Sequence, residues 1–217
     1  LEKIYANDVE HHYGELAYHA EHARLNEKAL RYLHKAGKIS ANSFQNSLAV
    51  DYFTRALGIV PPDDLETRFD LVIERVEMYE RMGKRDLQFN DLQSLEQWAE
   101  QLKDQTRLAN ALTLRTRYHH TIGEYLTAIN YAQDTEKYLD NTMPEINIKT
   151  RIAYSSALLR VGMADESMEQ AKMGLDIAVQ SGRRADEARA FTVMGLIALE
   201  QKDPSLAHQY LEESLRI

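Results

Sequence analysis

Five helix-opening positions recur along this chain at nearly constant intervals: Ala49, Gln88, Ala128, Ser167 and Ala207 stand 39, 40, 39 and 40 residues apart. Each follows a turn, most clearly in GEYLTAINYA, GMADESMEQA and KDPSLAHQYL. A period of this size, without strand-like alternation, predicts a solenoid of helical hairpins in which each repeat buries its apolar face only against its neighbours. In a hairpin the two helix axes must approach to about 8–10 Å, so the residue at the crossing must be small. Ala49, Ala128, Ser167 and Ala207 meet that need. Gln88 does not, and the hairpin over 65–103 is expected to be splayed or shifted in register.

The helices themselves read from apolar spacing and punctuation. Leu65, Phe69, Val72, Val76 and Tyr79 follow 3- and 4-residue steps and predict a helix over 65–82, capped by Asp63 or Asp64 and ended by Gly83. A second helix over 86–102 completes that hairpin. The same grammar gives 106–122 with 125–139, 144–161 with 164–181, and 184–201 with a helix from Pro204 onwards. Asp203-Pro204 supplies an N-cap followed by a proline at the first helical position. The first 60 residues are phased differently and predict three successive helices over 2–23, 26–41 and 43–59, closed by Pro61-Pro62.

The expected architecture is therefore all-α: a right-handed superhelical solenoid of antiparallel hairpins with about eleven helices. It divides into a three-helix entry over 1–62 and hairpins over 63–104, 105–142, 143–182 and 183–217, all in one continuous domain. The chain starts at Leu1 without a methionine and stops at Ile217 inside a helical pattern, so it is expected to be a piece of a longer protein.

Composition narrows the function. There are no cysteines, which excludes disulfides, thiolate zinc sites and cysteine nucleophiles. A formal charge of −8 opposes general nucleic-acid binding, which needs a clustered excess of Lys and Arg. Neither a secretory leader nor an apolar run long enough to span a membrane is visible. A cytoplasmic location with no membrane partner is expected. Neither GxxxxGK[ST] nor GxGxxG occurs, so no phosphate-binding glycine loop is present.

In LAVDYFTRALGIVP, the residues Ala49, Phe53, Ala56, Leu57 and Pro61, and in FTVMG with LAHQYL, the residues Phe191, Gly195 and Ala207, stand where the tetratricopeptide repeat places its aromatic, small and proline positions. The chain resembles that family over nearly its whole length. Its period near 40 looks like the long variant found in large bacterial signalling regulators. Residues 15–57 resemble the segment that follows the ATPase module in predicted ATPases, often fused to adenylate or guanylate cyclase domains. The resemblance implies a helical sensor or scaffold region, with any ATPase or cyclase elsewhere in the protein.

Candidate sites follow from the repeat phase. The first helix of each hairpin should line a concave groove, with Asp70, Ile73, Glu77 and Glu80, then Asn110, Thr113, Arg117 and His120, then Lys149, Ile152, Ser156 and Arg160, then Arg189, Thr192 and Leu196 facing it. Its acidic first member and basic later ones would orient an extended partner of opposite charge. Ile73, Glu77, Thr113 and Arg117 stand where chaperone-binding relatives need Lys and Asn, which argues against a chaperone tail as ligand.

His11, His12, His19 and His22, with Glu15 and Glu21, form a second group. The imidazoles of His12, His19 and His22 could share one helix face and meet a borderline metal, but no known ligand motif is present and ordinary packing explains them. His119 and His120 point about 100° apart on a helix, so one is expected to pack and the other to face the groove.

The reading is a non-enzymatic module with no catalytic, cofactor or metal residues, which binds a protein, a peptide or a neighbouring domain. The alternative is the ligand-sensing arm of a transcriptional regulator. Apolar surface on the last hairpin could also pair two copies into a homodimer.

Overall fold

The computed structural model describes residues 9–217. Among them are eleven α-helices and no strand: α1 (Tyr13–His22), α2 (Asn26–Asn42), α3 (Asn46–Ile59), α4 (Leu65–Met82), α5 (Arg85–Leu102), α6 (Gln105–Thr121), α7 (Tyr125–Glu136), α8 (Pro144–Arg160), α9 (Ala164–Gln180), α10 (Arg184–Glu200) and α11 (Pro204–Arg216). A 3-10 turn, Val9–His12, leads into α1. None of these helices is long and apolar enough to cross a membrane. The chain falls into two compact units divided between Lys103 and Asp104, at the end of a predicted hairpin.

The predicted stops and starts recur in physical form. Asp64, Asp104 and Asp203 cap α4, α6 and α11 by accepting from the backbone N–H three residues on, at 3.1, 2.9 and 3.0 Å, which satisfies a helix-end donor. Gly83, Gly123, Gly162 and Gly182 take left-handed conformations at φ 68, 84, 83 and 67°, where glycine avoids the Cβ penalty. Arg24, Phe44, Lys103 and Lys202 adopt comparable positive φ in the other turns. Phe44 accounts for one difference from expectation, since its turn delays α3 from 43 to Asn46. Another is α7, which stops at Glu136 instead of 139. The helix expected over 2–23 is described from 9 onward, and residues 2–8 lie outside the described residues.

In the first unit each of α1 to α4 packs on the helix that follows it, and α4 also touches α2. Leu16, Leu33, Phe53, Leu71 and Met78 share its core. In the second unit α6/α7, α8/α9 and α10/α11 are hairpins. Their first helices also pack side by side, α6 on α8 and α8 on α10, and form one inner row. Thr113 and Thr150 meet across the α6–α8 seam, hydroxyl to hydroxyl at 2.7 Å.

The crossing positions are built from pairs 12 residues apart. Ser155 and Ser167 lock α8 to α9: each hydroxyl donates to the other residue's carbonyl at 2.8 Å. Gly195 sits against Ala207, where an added Cβ would meet the Ala207 carbonyl at 3.4 Å and Leu211 at 2.8 Å. The same 12-residue offset separates Gly37 from Ala49, Val76 from Gln88 and Thr116 from Ala128, and all of these residues are buried. Val76 and Gln88 form the bulkiest pair. Gln88 is nonetheless accommodated at 1% exposure, and Val72, Val76, Leu92 and Leu95 of the same hairpin are buried as well. The Gln88 side-chain carbonyl accepts from Arg85 Nη1 at 2.8 Å, which answers the polar group that burial would otherwise leave unpaired.

Candidate binding surface

Because α6, α8 and α10 lie side by side, repeat phase sorts the predicted groove residues of the second unit into rungs. Asn110, Lys149 and Arg189 form one rung; Thr113, Ile152 and Thr192 a second; Arg117, Ser156 and Leu196 a third. His120 and Arg160 make the fourth with Glu200, which the sequence reading did not include. The field of Arg160 acts on His120 and that of Glu200 acts on Arg160.

The rungs are not equally available. Thr113 is 1% exposed and belongs to the α6–α8 seam, because its hydroxyl is held by Thr150 and by the Ala109 carbonyl. It does not line a groove. Ser156 is half-buried and its hydroxyl donates to the Ile152 carbonyl of its own helix at 2.8 Å, which leaves it a weak contact group. Lys149 pairs with Glu145 at 2.8 Å and Arg189 with the buried Asp186 at 2.9 Å. Both cations thus carry a counter-ion already. The Lys149 ammonium bonded to it, helped by Arg183 and against the upward push of burial, holds the Glu145 carboxyl below its ordinary range. Asn110 and Arg117 are half-buried on α6.

His120 and Arg160 are brought together by a residue on a second helix. Arg160 Nε donates to the Tyr125 hydroxyl at 3.3 Å, its guanidinium lies 5.6 Å from that ring's centre, and the His120 ring stands 5.6 Å from the same ring. Burial lowers the His120 pKa and the Arg160 charge lowers it further. The neighbouring His119 is buried, stacked on Tyr131 at 5.1 Å and bonded to Glu124 at 2.8 Å. His119 therefore packs, while His120 is half-buried against Tyr125.

In the first unit, Asp70 is exposed on α4 while Glu77 and Glu80 are half-buried. This acidic stripe is answered by α2. Lys38 pairs with Glu74 at 3.2 Å, and Arg81 Nη1 donates to the Ala41 carbonyl at 3.1 Å. His34 of α2 packs edge-on against Phe53, ring centres 6.2 Å apart. Burial lowers its pKa and Lys38 adds to that, against an upward pull from Glu74 and Asp70.

Two half-buried histidines with lowered pKa make stability pH-dependent. A basic group whose folded pKa is depressed contributes stability that is complete above its unfolded pKa, about 6.5, and is lost as pH falls through the folded value. The melting temperature should decline from about pH 6.5 towards pH 5. His34→Gln combined with His120→Gln should flatten that decline. An equal decline in wild type and double variant would remove both histidines from the account.

The amino-terminal histidines do not converge. His12 faces Glu15 at 3.3 Å, and His22 bonds the Tyr18 carbonyl at 2.8 Å and packs on the Tyr18 ring. Among the described residues no three His, Asp or Glu side chains are grouped to hold a metal ion. Tyr18, Glu21, His22, Asp51 and Arg55 do line an open cleft of about 510 Å³. Arg55 there is bound to both Glu21 and Asp51, which uses its charge internally.

No family model matches the chain, and no curated protein does. Solved structures do match. The crystal structure of BtubC (BKLC) from P. vanneervenii is similar with a TM-score of 0.73 at 12% identity, covering 94% of this chain and 85% of that one. The apo form of RapI is similar with a TM-score of 0.71 at 10% identity, covering 96% and 97%. A Podosopora anserina kinesin light chain with nearly identical TPR-like repeats reaches 0.64 at 14% identity, covering 86% and 93%. At these identities the likeness establishes the fold: a tetratricopeptide-like solenoid of helical hairpins.

Proposed function

We propose that this chain is a non-enzymatic scaffold or sensor module that binds a protein or peptide segment on the inner row of its second unit. The observation that supports this reading is the side-by-side packing of α6 on α8 and α8 on α10, the helices to which repeat phase assigns Arg117, Lys149, Ile152, Arg160, Arg189 and Leu196. Basic groups flank apolar ones, which suits a segment held by side-chain burial and oriented by charge. The charge of this surface is local, since the chain as a whole carries −8.

The parent context we propose is a multidomain bacterial signalling protein located in the cytoplasm. Support comes from the resemblance of residues 15–57 to segments that follow ATPase modules, and from the absence of cysteine. Binding on the row would act on a neighbouring catalytic domain to the extent that the segment prefers one arrangement of the helices over another. The test is capture of a partner by wild type and by an Arg117→Glu, Lys149→Gln and Arg160→Glu variant, with loss expected in the variant and no loss overturning the reading.

A further inference from the structure

At the turn edge of the second unit, side chains from three helices converge on one point. His120 lies in the last turn of α6, Tyr125 opens α7 and Arg160 ends α8. Arg107, Arg151, Arg183 and Arg189 in this unit are each bonded to a carboxylate. Arg160 is exposed and is held instead by a phenol, with no carboxylate at bonding distance among the described residues. Since the Tyr125 oxygen accepts from Arg160 Nε, its own O–H is free to donate. The terminal nitrogens of Arg160 remain open as well, and a neutral imidazole keeps one N–H. The aromatic ring fixes the guanidinium plane, which reduces the ordering a ligand must impose.

We infer that His120, Tyr125 and Arg160 form a receptor for a single carboxylate, an Asp or Glu side chain of a partner segment that places apolar residues near Ile152 and Leu196. The donor count fits one carboxylate: a forked guanidinium can take both oxygens, with the phenol or imidazole completing the shell. The charge count favours a carboxylate over a phosphoryl group. Arg160 supplies one full positive charge, which can neutralise a carboxylate but leaves half the charge of a phosphoryl dianion uncompensated. Ile152 is half-buried and Leu196 is 50% exposed, which leaves apolar surface two rungs and one rung away.

This inference rests on the inner row being a binding surface, and the experiment separates the two. The probes are three labelled peptides with a Leu-Leu-X-Leu-Leu core, where X is Glu, Gln or phosphoserine, titrated against the whole chain by fluorescence anisotropy. The Glu peptide should bind about five- to tenfold more tightly than the Gln peptide, the range expected of an exposed charge-assisted pair. Arg160→Met should erase that ratio by bringing the Glu peptide down to the affinity of the Gln peptide. Tyr125→Phe, which keeps the ring and removes the hydroxyl, should reduce the ratio in part. Resonances of His120 and Tyr125 should shift with the Glu peptide. Equal binding of Glu and Gln peptides, or a ratio that survives Arg160→Met, overturns the carboxylate receptor but keeps the surface. Tighter binding of the phosphoserine peptide overturns the carboxylate assignment. Binding of none of the three overturns both.

Discussion

Phe53→Ala is expected to destabilise the first unit by about 3–5 kcal/mol, the range for emptying a fully buried aromatic position. Phe53 is 0% exposed and its ring lies directly opposite Gly37, where an added Cβ would come within 2.5 to 2.9 Å of three ring atoms. Gly37→Ala should therefore cost about 1–3 kcal/mol by overpacking. Together the two changes should cost less than their sum, because the methyl occupies space that the ring vacates. Hydrogen exchange of α2 and α3 amides provides the reading, since stability in a repeat array is set locally and a single global transition is not assured. Full additivity would mean that Gly37 and Phe53 are not the packed pair that joins these helices.

Arg75→Met is expected to cost the α4/α5 hairpin about 3 kcal/mol, the low end of the range for leaving a buried charge unpaired. Arg75 Nε and Nη2 grip both oxygens of Asp91 at 2.8 and 2.7 Å, with the two side chains 16% and 11% exposed. Arg75 also donates to Thr54 at 3.1 Å, so one side chain ties α3, α4 and α5. The clamp sits one residue from Val76 and three from Gln88, both of which are buried. Asp91→Asn should lose nearly as much. Replacing both partners, as Arg75→Met with Asp91→Leu, should recover most of the loss because no orphan charge remains. Exchange rates of α5 amides report each case, and a double variant no better than Arg75→Met would contradict the clamp.

Most of the helix boundaries were legible because turns in this chain are written in residues with a single physical meaning. Gly83, Gly123 and Gly162 end helices by tolerating positive φ, and Asp64 and Asp203 begin them by accepting backbone donors. Phe44 and Lys103 fill equivalent turns without any such mark, so the start of α3 was misplaced. The crossing residues on second helices were visible from their period. Their partners, Gly37, Val76, Thr116 and Ser155, were not, since a small residue in mid-helix has several possible uses. Only packing shows that Ser155 and Ser167 exchange hydrogen bonds.

The candidate surface was legible in part. Repeat phase brought His120 and Arg160 onto one rung but placed buried Thr113 beside them, because a rung position near the helix–helix seam turns inward when its neighbour is close. It also gave Lys149 and Arg189 as open cations, although each has a carboxylate one turn away on its own helix. Tyr125 was missed for a different reason. It lies on a second helix, and its role depends on a contact between residues 35 apart that no local pattern encodes.

The central claim is that partners are held by the inner row of α6, α8 and α10. The measurement that tests it most directly is quantitative capture from a lysate of the source cell, comparing three immobilised forms of the chain by mass spectrometry. The forms are wild type, the inner-row variant with Arg117→Glu, Lys149→Gln and Arg160→Glu, and an outer-helix control with Lys172→Glu and Gln180→Glu. A partner retained by wild type and control but lost by the inner-row variant, with helical content unchanged in all three, is the predicted result. A partner retained by the inner-row variant and lost by the control would place binding on the outer helices and contradict the account.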